Sequence, residues 1–199
     1  SCAYPDVSIK YPLNESQLFD GPPTETNFSY GYAKRCMAVL IDAYIKQYKK
    51  EWCYLIPCNL YGEYDKFDLN KSHFVTSLVR KIYEADSKVE LFGTGKPLRQ
   101  FMHAEDLSRA IFLLIENGVY NNFNIATDEI FTIREIAEIG IKSCNKDFLE
   151  LSFDNSKPDG QFRKDIDSFK FLNVFKDFNF TSLENGIKKV YDSFSRRYN

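Results

Sequence analysis

From residue 30 to residue 194, short apolar runs alternate with longer stretches whose apolar residues recur every three or four positions. No other feature of the 199-residue chain constrains its fold as much. The runs at 52–57, 89–92, 123–126 and 148–153 have strand length, and 99–103 reads as extended. The stretches at 30–48, 72–86 and 105–117 carry the helical period, as do those that follow Thr132 and Thr181. Strands that take turns with helices argue for the α/β class. Local signals agree with this division. Thr132-x-x-Glu135 and Thr181-x-x-Glu184 are capping boxes, and Gly118 is placed to end the helix over 105–117. Inward faces are expected at Val75, Leu78, Val79 and Ile82; at Leu107, Ala110, Ile111 and Leu114; at Ile133, Ile136 and Ala137; and at Leu183, Ile187, Val190 and Phe194. Met37, Leu40, Ile41, Tyr44 and Tyr48 give the first helix its spacing, and Lys46, Lys49 and Lys50 at its end read as a solvated face.

Between these elements lie loops. Residues 1–29 are punctuated by Pro5, Pro12, Pro22 and Pro23, and 63–72 is polar. The run 52–57 has the look of a strand buried on both sides, with Asn59-Leu60-Tyr61-Gly62 at its carboxyl end. Ligands of open α/β sheets sit just outside such ends. Gly93-Thr94-Gly95-Lys96-Pro97 ends a strand without opening a helix, so it reads as a turn and not a phosphate loop. Lys157-Pro158-Asp159-Gly160 is another turn, and Lys157 suits solvent or a phosphate equally. No G-x-G-x-x-G turn appears, and the chain opens without Met. A dinucleotide enzyme built from this chain would carry its cofactor loop upstream.

Composition narrows the function. A net charge of −2 with interspersed signs argues against nucleic acid as the main partner, and no apolar run approaches membrane-spanning length. Cys2, Cys36, Cys53, Cys58 and Cys144 are scattered and odd in number, which favours a reducing, cytoplasmic setting. Cys36, Cys53 and Cys144 read as core. Two histidines, His73 and His103, are too few for a His-rich metal site, and no metal is expected.

The chemistry centres on Tyr30-Gly31-Tyr32-Ala33-Lys34. Tyr30 and Lys34 are four apart and share one helical face. A phenol beside an ammonium can protonate an alkoxide as hydride reaches a carbonyl carbon. An exposed helix face can show the same spacing, so the company of the pair decides its meaning.

That company is Ser1-Cys2-Ala3-Tyr4-Pro5, Pro57-Cys58-Asn59-Leu60-Tyr61-Gly62, Ser72-His73, the run from Arg99 through His103 to Asp106, and Lys157-Pro158-Asp159-Gly160. In this order they resemble the extended short-chain dehydrogenase/reductase superfamily, and within it the GDP-L-fucose synthase branch of epimerase-reductases. The resemblance runs from Ser1 to the last helix. It implies Tyr30 as proton donor in a C4-ketone reduction, with Lys34 binding the nicotinamide ribose and lowering the Tyr30 pKa. It implies Cys2 and His73 as base and acid of epimerisations at C3 and C5. Pro57, Cys58, Asn59 and Leu60, together with Lys34 and His73, would meet NADP(H). Lys81, Phe92, Arg99 and Asp159 would meet the GDP-sugar. A thiol and an imidazole suit proton shuttling beside a ketone, and a guanidinium can clamp a diphosphate. His103 reads as structural, and Asp106 as an anion at a helix start.

The expected architecture is a partial Rossmann fold, a doubly wound parallel sheet, with a smaller α/β substrate-binding domain. Residues 1–62 would be the second half of the NADP-binding domain and 63–199 mainly the GDP-sugar domain, with about 97–118 returning to the Rossmann part. The expected function is NADPH-dependent epimerisation and C4 reduction of GDP-4-keto-6-deoxy-D-mannose to GDP-L-fucose by a homodimer, with this stretch inactive by itself. Alternatives are C4 reduction alone on a related GDP-sugar such as a heptose, or a non-catalytic sugar-nucleotide-binding fragment. The sequence departs from the branch in three places. It begins at the second serine before the Cys, so the branch's catalytic serine is missing, and Ser1 is not expected to replace it. Asn27-Phe28-Ser29 stands where the branch has Asn-Glu-Pro, and Phe92 stands where it often has Trp.

Overall fold

The computed structural model describes residues 2–69 and 71–198; Ser1 lies outside them. In chain order the elements are α1 (Phe28–Tyr48), β1 (Leu55–Pro57), β2 (Asn59–Tyr61), α2 (Phe74–Glu84), β3 (Lys88–Phe92), β4 (Leu98–Arg99) and β5 (Phe101–His103). They continue as α3 (Ala104–Glu116), β6 (Phe123–Ile125), β7 (Phe131–Thr132), α4 (Ile133–Ser143), β8 (Glu150–Asp154), α5 (Phe169–Val174) and α6 (Leu183–Tyr198). Two 3-10 turns, Glu15–Phe19 and Glu25–Asn27, interrupt the opening loop.

Three ladders are parallel and join strands far apart in sequence. Leu55 of β1 pairs with Phe123 of β6, Asn59 of β2 with Phe101 of β5, and Lys88 of β3 with Glu150 of β8. Parallel pairs need crossovers, and the connections between these strands carry helices. β4 and β7 pair antiparallel. The architecture is therefore mixed α/β with parallel strands, as the alternation implied.

Two cores form. One packs Ile56, Met102, Ala110, Leu114, Phe123, Ile125 and Phe171 with Ala3, Tyr4, Leu13 and Leu18 of the opening loop. The other packs Val75, Leu78, Val79 and Ile82 of α2 against Ile136 and Ala137 of α4 and Ile187, Val190 and Phe194 of α6. Each fully buried aliphatic or Phe side chain contributes about 1.5–3 kcal/mol. Successive side chains of a strand point to opposite faces. In β5, Phe101 enters the second core and Met102 the first. The β2–β5 ladder is thus the wall between the cores, and its residues stand beside both.

Long-range hydrogen bonds fasten the loops to this frame. Tyr4 donates through its hydroxyl to Asn124 at 2.7 Å, and Asn124 donates to the Leu13 carbonyl at 3.0 Å. The buried Gln100 side chain donates to the Thr127 carbonyl at 2.6 Å and accepts from the Ile166 amide at 3.0 Å. Burial raises the Tyr4 phenol far above its ordinary value.

Several expectations are corrected. Met37, Leu40, Tyr44 and Tyr48 of α1 are exposed; the helix docks through Gly31, Arg35 and Ala38 instead. Cys36 is consequently exposed and Cys53 only half-buried, while Cys144 is buried as expected. Only 55–57 of the apolar run form a strand, and it is not sealed on both sides: Leu55 and Pro57 are half-buried and Trp52 is exposed. Ile111 lies outward on α3. The Thr132–Glu135 capping box is formed, but the Thr181–Glu184 box is not. Thr181 gives both its amide (2.8 Å) and its hydroxyl (3.0 Å) to Asp106. The α6 start is capped by Ser182 and by Glu129, which accepts from the Leu183 amide at 2.9 Å. Asp106, fully buried, is therefore more than a helix-start anion: it ties α3 to the chain entering α6 and pairs with Arg109. Among the described residues no helix is long and apolar enough to cross a membrane.

Candidate active site

The first two turns of α1 present Tyr30 and Lys34, with the Lys34 ammonium 5.4 Å from the centre of the Tyr30 ring. Arg35, one residue on, points inward. Its Nε donates to the Ala3 carbonyl and its Nη1 to the Gly21 carbonyl, each at 2.6 Å. Tyr54, which leads into β1, donates its hydroxyl to the Lys34 carbonyl at 3.0 Å. The approach is close enough to need glycine at position 31. A Cβ there would stand 2.6 Å from the Pro23 ring and 2.9 Å from the Cys2 carbonyl. The helix bearing the Tyr/Lys pair is in this way pressed onto the segment bearing Cys2.

A cavity of about 940 Å³ results. Cys2, Tyr30 and Lys34 line one part of it, and Pro57, Cys58, Asn59 and Leu60 another. His73 and Arg99 close it from the side of the second core. Nine residues expected to act together, spread over almost one hundred positions, thus face one space. Asn59 Nδ2 donates to the Gln100 carbonyl at 2.8 Å, which fixes the amino end of β2 against the chain entering β5. Burial pushes the Cys58 thiol up to about 12, so Cys58 is a neutral wall residue at physiological pH. His73 sits at the N-cap of α2 with its side chain 74% exposed, and its Nδ1 lies 3.0 Å from Asp65 Oδ2. Burial lowers the Arg99 pKa from its ordinary value, and Asp159 and Cys2 act in the opposite direction.

Lys81, Phe92 and Asp159 do not line this cavity. They gather at the carboxyl end of β3. Lys81 Nζ donates to the Glu90 carbonyl at 2.7 Å and lies 5.3 Å from the Phe92 ring centre. Lys157 Nζ lies 5.9 Å from the same exposed ring. Asp159 accepts from the Thr94 amide at 2.6 Å and the Thr94 hydroxyl at 2.8 Å, and these bonds hold its carboxyl below the usual range. Gly93, at φ 81°, lets the turn pass against Asp159. The side chain of Asp159 thus shapes a turn, and Arg99 links that turn to the cavity.

Two polar residues of the site were not singled out from sequence. Lys164 Nζ stands 3.6 Å from Cys2 Sγ and lines the same cavity. Asp65 partners His73. Neither belongs to a periodic pattern or a spaced pair, so nothing local announced them. His103 is buried, accepts from the Glu105 amide at 3.4 Å and stands 3.1 Å from Glu63, in keeping with a structural role.

A phenol, an ammonium, a thiol and an imidazole around one space can take and return protons at more than one carbon and at a carbonyl oxygen. Residues 1–126 match the family model described as the NAD dependent epimerase/dehydratase family. The chain belongs to this family. Among its members, a GDP-L-fucose synthase of Sinorhizobium fredii is 39% identical over 204 residues, covering 98% of this chain and 62% of that protein. A GDP-L-fucose synthetase of Naegleria fowleri, solved bound to NADP, superposes with a TM-score of 0.88 at 30% identity, over 99% of this chain and 64% of the other. A GDP-6-OMe-4-keto-L-xylo-heptose reductase of C. jejuni gives 0.87 at 26% identity, over 98% and 68%. The chain spans under two thirds of the length of the curated relatives it matches first.

Proposed function

We propose that the full-length protein epimerises GDP-4-keto-6-deoxy-D-mannose at C3 and C5 and reduces it at C4 with NADPH, giving GDP-L-fucose. The observation that carries this reading is the shared cavity: Cys2 and His73 line the same space as Tyr30 and Lys34. A plain reductase needs only the second pair.

The residues present fit the nicotinamide end of NADP(H). Pro57 to Leu60 offer a wall at a strand's carboxyl end, and Lys34 offers a cation beside the Tyr30 ring. NADPH, when bound, supplies the hydride that reaches C4. The chain's own residues handle the protons. Cys2 Sγ removes a proton from the carbon next to the ketone, and the electron pair moves onto the ketone oxygen as an enolate. His73 returns a proton to the opposite face, the enolate collapses to the ketone, and the centre is inverted. Once Cys2 has released its proton to solvent and His73 has taken one up, the same exchange at the second carbon completes the epimerisation. Tyr30 then gives its hydroxyl proton to the C4 oxygen, while the Lys34 ammonium binds the nicotinamide ribose and favours the phenolate that is left. Each positioned acid or base is worth about 10²–10⁴-fold in rate. Arg99 is placed to hold the diphosphate, with Lys81, Phe92 and Asp159 further along the nucleotide.

This reading assigns 1–62, joined by about 97–118, to cofactor binding around the first core, and 63–199 mainly to the GDP-sugar around the second. The exposed row Met37, Leu40, Tyr44 and Tyr48 of α1 supports a homodimer. Five free cysteines suit a cytoplasmic setting. A second reading, C4 reduction alone on a related GDP-keto sugar, is favoured by the likeness to the C. jejuni reductase. Product analysis after incubation with NADPH and GDP-4-keto-6-deoxy-D-mannose separates the two. GDP-L-fucose supports the proposal, and a reduced product that keeps the D configuration supports the reductase.

A further inference from the structure

His73 is a poorly confined side chain for a proton donor. It stands at the start of α2 with its side chain 74% exposed, on the rim shared by the 940 Å³ cavity and a neighbouring one of about 660 Å³. An imidazole so exposed is free to rotate about two side-chain bonds. Its ring could then face either space. Among the described residues, the hydrogen bonds of the ring run to Asp65. Nδ1 lies 3.0 Å from Oδ2 and 3.2 Å from Oδ1.

Asp65 itself is far better held. Its side chain is 19% exposed. Its Oδ1 accepts from the Lys66 amide at 2.7 Å, and its Oδ2 accepts from the Thr76 hydroxyl at 3.4 Å. Thr76 is fully buried, and its one hydroxyl proton is shared between Asp65 and the nearer His73 carbonyl at 3.1 Å. The carboxylate is therefore anchored both to its own loop and to the first turn of α2, the turn that starts at His73.

A carboxylate is an acceptor only, so Nδ1 must carry the proton in this contact. The other ring nitrogen, Nε2, is then the atom left to exchange protons with substrate. We propose that Asp65 is the positioning residue of His73: it fixes the Nδ1–H tautomer and holds the ring so that Nε2 serves the epimerisation cavity. The inference rests on the epimerase reading above and deepens it. Cys2 needs no such device, since its short side chain sits on the segment clamped by Arg35.

The test uses the full-length protein and its Asp65→Asn, Asp65→Ala and Asp65→Glu variants. Solvent-deuterium wash-in to GDP-4-keto-6-deoxymannose is followed without NADPH, so that proton exchange is read apart from reduction. The His73 tautomer is read by long-range proton–nitrogen NMR. Asp65→Asn and Asp65→Ala should lower kcat for wash-in about 10- to 100-fold, short of what loss of the acid itself would cost, while KM moves little. The His73 ring should lose its single tautomer in both, and Asp65→Glu should restore part of the rate. Wash-in at the wild-type rate in Asp65→Asn overturns the proposal. So does a loss confined to KM and melting temperature, which is what a purely structural loop residue would give. A wild-type protein that washes in no deuterium would overturn the epimerase reading itself, an outcome distinct from a variant that matches an active wild type.

Discussion

Arg35 Nε and the Ala3 carbonyl meet at 2.6 Å across 32 residues of chain, and this bond joins the helix of Tyr30 and Lys34 to the segment of Cys2. The Arg35 guanidinium is buried, gives a second bond to Gly21 and lies 5.4 Å from the Tyr32 ring centre. Replacing it by leucine leaves two carbonyls without their donor. A cost of about 2–4 kcal/mol is expected in urea unfolding, and Arg35→Lys should not recover it, because one ammonium cannot reproduce the fork. Epimerisation should suffer more than cofactor binding, because Cys2 loses its register against Tyr30.

Gly31→Ala tests the same contact by crowding. The new methyl would meet the Pro23 ring at 2.6 Å and the Cys2 carbonyl at 2.9 Å, and neither is the tip of a flexible side chain. A loss of about 1–3 kcal/mol is expected, although alanine favours the helix by about 1 kcal/mol. A variant more stable than wild type would contradict the close approach.

The thiols should separate by burial. Cys36 is exposed and should react with a thiol reagent in the native protein, while Cys58 and Cys144 should react only on unfolding. Burial moves both of those thiols from an ordinary 9.0 up to about 12. Because the unfolded chain releases these protons first, the stability they confer is complete below pH 9 and is lost as the pH rises from about 9 to 12. Unfolding free energy measured across that window should fall, and Cys58→Ala should flatten part of the fall.

At the acid end the turn held by Asp159 gives the opposite sign. Its carboxyl lies below the ordinary 3.8 because the Thr94 amide and hydroxyl bond the charged form. The contact is intact above that value and is lost as the pH falls through the lower, folded value. Protection of the Thr94 amide, its exchange relative to an unstructured amide at the same pH, should fall there, and Thr94→Val should show a smaller change.

Much of this was readable in advance, for a physical reason. α2, α4 and α6 bury one stripe each against their neighbours, so the 3.6-residue period survives in their sequence. Tyr30 and Lys34 were legible because the helix itself brings them together. The docking face of α1 left no apolar stripe to read, because it is a glycine, an arginine and an alanine, and most of the large apolar residues that give the helix its spacing are exposed. Thr181 was misassigned because a buried carboxylate 75 residues away competes for the groups that would have capped α6. Lys164, 162 residues from Cys2, and Asp65 act through contacts that leave no periodic trace.

The most direct measurement incubates the full-length protein with NADPH and GDP-4-keto-6-deoxy-D-mannose in deuterated water and locates the label in the product by NMR. Deuterium at both C3 and C5, with NADPH consumed in step, is the predicted result. NADPH consumed with no deuterium at either carbon would contradict the joint use of Cys2 and His73 with Tyr30 and Lys34.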